Sequence, residues 1–165
     1  MTSQSLRIVK ANARHLRLAV PIFDAYRQFY KKKSNLKAAR GFLERRLKNR
    51  ESVLLLAFLD GGRRIKPVGL VHLYPTFSSL TLRRQWVVSD LFVVPESRGR
   101  GVGEALMNRA RQLAEETDAD ALLLETATDN LTAQRLYERL GYKRDEVFYR
   151  YALTISAGRR NNQLK

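Results

Sequence analysis

Three observations predict an α/β fold, one domain with helices laid on a mixed sheet. Short apolar runs bounded by turn residues alternate with longer stretches whose apolar positions recur at three- and four-residue steps. A glycine-rich turn, Gly99-Arg100-Gly101-Val102-Gly103, lies between one such run and one such stretch. At 165 residues and 44% hydrophobic, the chain is long enough for one core. The domain is read as residues 1–156, followed by a polar, basic tail at 157–165 that is expected to be disordered.

Leu6 to Lys10 alternates as a short first strand. Asn12 is a helix cap, and Leu16, Val20, Phe23, Tyr26 and Tyr30 form the stripe of the helix that follows; Pro21 inside that stripe predicts a late start or a kink. A second helix over 36–50 carries Leu36, Ala39, Leu43 and Leu47 on one stripe. Val53 to Leu59 and Pro67 to Leu73 are strands of a hairpin turning at Asp60-Gly61-Gly62. A looser stretch over 74–79 leads into a strand from Gln85 to Val94, and a helix over 101–116 points Val102, Leu106, Ala110 and Leu113 inward. Ala121 to Thr126 is read as a short buried strand. A helix from Asp129 or Asn130 to Leu140 stops at Gly141, and strands at 142–144 and 147–154 complete the sheet.

There are no cysteines and only two histidines, His15 and His72, which excludes disulfides, a thiol nucleophile and thiolate metal sites; no metal site is expected. The N-terminus lacks signal-peptide character, and no apolar run approaches the ~20 residues of a membrane span, so a cytoplasmic protein without membrane contact is expected. The net charge of +15 is concentrated in residues 1–85, with 19 basic side chains against 4 acidic. Residues 27–50 alone hold Arg27, Lys31, Lys32, Lys33, Lys37, Arg40, Arg45, Arg46, Lys48 and Arg50 against Glu44. Such a segment either keeps a helical surface solvated or attracts acidic partners.

The glycine turn is an anion seat: glycine lets backbone approach closely, and the N–H groups and dipole of the helix start favour negative charge. Arg98-x-x-Gly101-x-Gly103 is neither the Rossmann fingerprint nor a P-loop. Together with the Val93-Val94-Pro95 strand exit and the later Asn130-x-x-Ala133-x-x-x-Tyr137-x-x-x-Gly141-Tyr142 segment, it resembles the GNAT superfamily of N-acetyltransferases. The likeness is strong over residues 85–145 and weak before residue 50. It implies a GNAT-like fold with a mixed, mostly antiparallel central sheet flanked by helices, and a homodimer.

The resemblance further implies acetyl-CoA as donor, its pyrophosphate on the backbone of Arg98, Gly99, Arg100, Gly101, Val102, Gly103 and Glu104, with Arg98 gripping a phosphate. The pantetheine arm would pair with Leu91, Phe92 and Val93, where a bulge splays the strand and a free N–H polarises the thioester carbonyl. Asn130 and Ala133 would contact the cofactor and Tyr137 would protonate the departing thiolate, Asn130 and Tyr137 lying about two helical turns apart. A phenol of pKa about 10 can protonate a thiolate of pKa about 8.5 at a cost of ~2 kcal/mol. Tyr137 also reads as a core aromatic beside Leu136 and Leu140.

For the general base, Ser89 stands where related enzymes carry an acid, which leaves Asp90, Glu125 or a water chain; Asp90 reads equally as an acceptor for neighbouring backbone N–H groups. His72 reads either as a proton relay or as a sheet residue with a satisfied hydrogen bond. The resemblance implies a primary-amine acceptor, on a small molecule or a protein, and, since the first two helices overhang the acceptor entrance in the resembling fold, the basic segment there predicts an acidic rather than a polycationic one. The competing class is a nucleic-acid- or acidic-protein-binding module on the same scaffold, with Phe29, Tyr30 and Phe42 among the cations; their core spacing argues against base stacking.

Overall fold

The computed structural model describes residues 5–59 and 66–155. The chain forms two compact units, divided in sequence between Asn130 and Leu131.

The first unit is built on a five-stranded sheet of β1 (Leu6–Lys10), β2 (Val53–Leu59), β3 (Pro67–Ser78), β4 (Arg83–Val93) and β5 (Ala121–Leu124), in that spatial order. β1 to β4 are antiparallel neighbours and β5 is parallel to β4. The sheet is therefore mixed and mostly antiparallel, as expected. β2 sits between β1 and β3 and is buried along nearly its whole length, which is why it reads as a continuous apolar run rather than an alternating one.

Two helices, α1 (Leu16–Phe29) and α2 (Leu36–Lys48), join one face of the sheet. Leu16, Ala19, Val20, Phe23, Ala39 and Leu43 pack there with Leu54, Leu56, Phe58, Leu70 and Phe92. The period of two along β2 and β3 sends their other residues to the opposite face, against α3 (Val102–Glu116). α3 comes so close to β3 that a Cβ at Gly69 would stand 2.9 Å from both Leu106 Cδ1 and Val102 Cγ1. Val102, Leu106, Ala110 and Leu113 are buried as their spacing predicts.

Several boundaries differ from expectation. Asn12 caps a 3-10 turn (Ala13–His15), its side chain accepting from Arg14 N at 3.0 Å, and α1 begins directly after it, with Pro21 inside the helix rather than delaying it. Packing of the apolar stripe outweighs the N–H that Pro21 cannot donate. Tyr74 to Ser78, read as loose, continues β3, because those residues pair with Arg83 to Val87 in a long hairpin. Leu36 is exposed and does not share the α2 stripe, and β5 ends at Leu124 and is only partly buried. The Asp60-Gly61-Gly62 turn and the tail at 157–165 lie outside the described residues.

In the second unit, α4 (Leu131–Arg139) starts after Asn130 rather than at or before it, and Gly141 beyond its end has φ +88°. The strands expected at 142–144 and 147–154 are absent; described residues there have no regular structure. Val147, Phe148, Tyr149, Tyr151, Leu153 and Ile155 are exposed. Strand formation needs a partner as well as a sequence that favours it. Among the described residues no helix is long and apolar enough to cross a membrane, and no group of three His, Asp or Glu could hold a metal.

Candidate active site

The site grows from two irregularities in β4. The β3–β4 ladder pairs His72 with Asp90 and then Leu73 with Val88, so Ser89 is an extra residue, a bulge that bends the strand. The β4–β5 ladder ends at Val88 opposite Leu124. From Ser89 to Val93, β4 runs on beside β3 but past the end of its pairing with β5. Leu91, Phe92 and Val93, where a splay is expected, thus lie on a stretch of β4 that β5 does not pair with, a fork in the ladder.

Beyond β4, a 3-10 turn (Pro95–Ser97) leads to the glycine turn, where Gly99 and Gly101 have φ +70° and +76° and a Cβ at either would meet no atom within 4 Å. Gly101 is the residue from which α3 opens. The N–H groups of Val102 and Gly103 fall in the first helical turn, where no acceptor within the helix exists. A left-handed turn open to solvent at a helix start suits a pyrophosphate. Arg98 is already engaged: its Nε donates to Val93 O at 3.0 Å, and its guanidinium lies over the rings of Phe29 and Phe92.

Asp90 is part-buried at the fork. Its Oδ2 is 3.2 Å from His72 Nδ1, and its Oδ1 accepts from the Ser89 hydroxyl at 3.3 Å. His72 is wholly buried, with Nε2 2.7 Å from Ser52 Oγ. Phe23 and Phe42 meet the His72 ring edge-on and Tyr74 lies 4.7 Å from it. Burial pushes the Tyr74 phenol up to about 12; the Asp90 charge adds to that shift and Arg46 opposes it. Tyr74, Ser52 and Arg46, which adjoin this candidate cluster, are residues that sequence reasoning passed over. The signal for Tyr74 was its position two after His72 on one strand, hence on the same face.

Glu125, the other carboxylate considered, is exposed just beyond β5. Phe29, Tyr30 and Phe42, expected in the core from their spacing, are about half exposed, although Phe42 stacks on Phe23 at 5.8 Å. In the second unit, Tyr137 is half-buried on α4 with its ring 5.9 Å from that of Tyr142. Ala133 is on the same helix. Asn130, last residue of the first unit, donates its backbone N–H to Ala127 O at 3.0 Å.

The family model of the GNAT acetyltransferases matches residues 19–142. The chain belongs to the GNAT acetyltransferase family. This GNAT acetyltransferase is 42% identical over 137 residues to an uncharacterised N-acetyltransferase of Bacillus subtilis, YhfO, covering 83% of this chain and 89% of that protein. A probable acetyltransferase of Haemophilus influenzae is 28% identical over 92% of this chain and 99% of its own length. A crystal structure of a probable acetyltransferase superposes with a TM-score of 0.84 at 43% identity, covering 91% of this GNAT chain and 98% of that one.

Proposed function

We propose that this acetyltransferase moves an acetyl group from acetyl-coenzyme A to a primary amine by direct attack in a ternary complex. Asp90 takes a proton from the attacking ammonium; the nitrogen bonds to the acetyl carbon as the carbon–sulfur bond breaks. Tyr137 protonates the thiolate and recovers its proton from the new amide nitrogen. The fork at Ser89 to Val93 carries this reading, because it leaves strand edge where a thioester's amide-bearing arm can pair, beside a part-buried carboxylate. The open glycine turn supports coenzyme A as the donor's carrier. The name of the Bacillus subtilis relative, an N-acetyltransferase, supports an amine acceptor.

The acceptor side is basic. Phe42 on α2 touches His72, and Arg46 acts on Tyr74, so α2 borders the carboxylate. An amine that also bears a carboxylate or phosphate, free or on a protein, suits this surface better than spermidine does. Calorimetry with acetyl-CoA, then thiol release with a panel of acidic, neutral and polycationic amines, tests the reading. Absence of acetyl-CoA binding would end it. Tyr137→Phe is expected to lower kcat by about 100-fold, in line with loss of a proton donor, with unchanged acetyl-CoA affinity; full activity would remove Tyr137 from the reaction. The half-exposed aromatics among cations favour one second reading, an acidic-partner or nucleic-acid surface. RNA binding with a steep salt slope and no thiol release would support that reading instead.

A further inference from the structure

A fully buried histidine with partners on both ring nitrogens is constrained more tightly than packing requires. His72 Nδ1 faces the Asp90 carboxylate and Nε2 faces the Ser52 hydroxyl. A neutral imidazole has one donor and one acceptor, a carboxylate can only accept, and a hydroxyl can do either. The tautomer that satisfies every atom has Nδ1–H donating to Asp90 Oδ2 and Nε2 accepting from Ser52 O–H. The opposite tautomer would set a lone pair against the carboxylate. Phe23, Phe42 and Tyr74 enclose the ring and hold its plane. The pairing sits at the Ser89 bulge, where the strand alone leaves the direction of Asp90 least determined.

We propose that His72 is the positioning residue of the general base: its Nδ1–H aims the Asp90 carboxylate, in the tautomer that this acceptor-only group selects and that the Ser52 hydroxyl completes by donating to Nε2. This rests on the assignment of Asp90 above. With Oδ2 tied to His72, the oxygen left toward the amine is Oδ1, which among the described residues is hydrogen-bonded only by the exposed Ser89 hydroxyl. His72 touches no substrate and passes no proton; it acts through Asp90 alone.

Two histidines make the imidazole nitrogens easy to resolve by 15N NMR. His72 is expected as the Nδ1–H tautomer; the Nε2–H tautomer overturns the proposal. Kinetics use the fastest amine of the panel. His72→Leu is expected to lower kcat about 30-fold with unchanged KM for acetyl-CoA, whereas His72→Asn, whose amide N–H reaches the Nδ1 position, stays within about threefold of wild type. Equal losses in the two variants, tracking their melting temperatures, overturn the proposal. In an Asp90→Asn background, His72→Leu is expected to cost nothing more, and a further full loss overturns it. Ser52→Ala, far milder for folding, is expected to lower kcat about fivefold; a wild-type kcat there overturns the role of Ser52. Asp90→Asn at full rate would defeat the base assignment itself. Impaired Asp90→Asn beside a wild-type His72→Leu would defeat only the positioning role.

Discussion

Asp24 shows how a single side chain can organise its neighbourhood. It is nearly inaccessible on α1, yet it accepts from Arg27 at 2.9 Å, Gln28 at 3.1 Å, Ser34 at 2.6 Å and the backbone of Asn35 at 3.0 Å. Burial raises its pKa, but the hydrogen bonds from Asn35, Ser34 and Arg27 together outweigh it and the net shift is downward. A depressed carboxylate pKa stabilises the fold above the unfolded value and loses that contribution as pH falls through the folded value. Asp24→Asn, which strands several donors, is expected to cost about 3 kcal/mol and so roughly 6–12 °C in Tm, with a shallower loss of stability toward acid; thermal melts across pH check both. Arg27 and Gln28 stand near Asp24 in sequence, but the bonds from Ser34 and Asn35 that complete its set come from beyond the end of α1 and do not show in the sequence. The same distance in sequence hid Ser52 from His72, whereas Asp90 stood out as a lone carboxylate on an apolar strand. Local chemistry is legible in a sequence; cross-strand chemistry waits for the pairing.

At the scale of elements, the meeting of β3 and α3 is the tightest point of the first unit. Gly69→Ala must displace Leu106 or Val102, both wholly buried, or the Phe92 carbonyl 3.2 Å away. Overpacking of that kind costs about 1–3 kcal/mol. Since Val102 opens α3, the shift also moves the glycine turn, and the variant is expected to lose both melting temperature and acetyl-CoA affinity; unchanged affinity at lowered Tm would uncouple the turn from β3. The turn and α3 were readable because glycine at positive φ and a 3.6-residue stripe are local signals. Tyr74 to Ser78 was not, since only its long pairing with β4 makes it a strand. The reverse error fell on 147–154, where aromatic and branched residues favour strand but no described pairing supplies one.

For the molecule as a whole, charge is the property that bears most on what it meets in solution. The basic side chains of residues 27–50 stand mostly exposed on or beside α1 and α2. They are expected to lower KM for acidic amines at low ionic strength and to lose that advantage in salt, since screening shortens to about 10 Å at 0.1 M. A KM for spermidine below that of every acidic amine would contradict this. The fork in the sheet has a different reach. A strand edge exposed inside a sheet is an incomplete ladder, and a donor that pairs there finishes the protein's own hydrogen bonding. On the proposed reading, donor binding and conformational stability are linked: acetyl-CoA at a hundred times its Kd would add about 2.7 kcal/mol to the fold, so the same unpaired edge that seats the donor would also be where the fold gains stability from it.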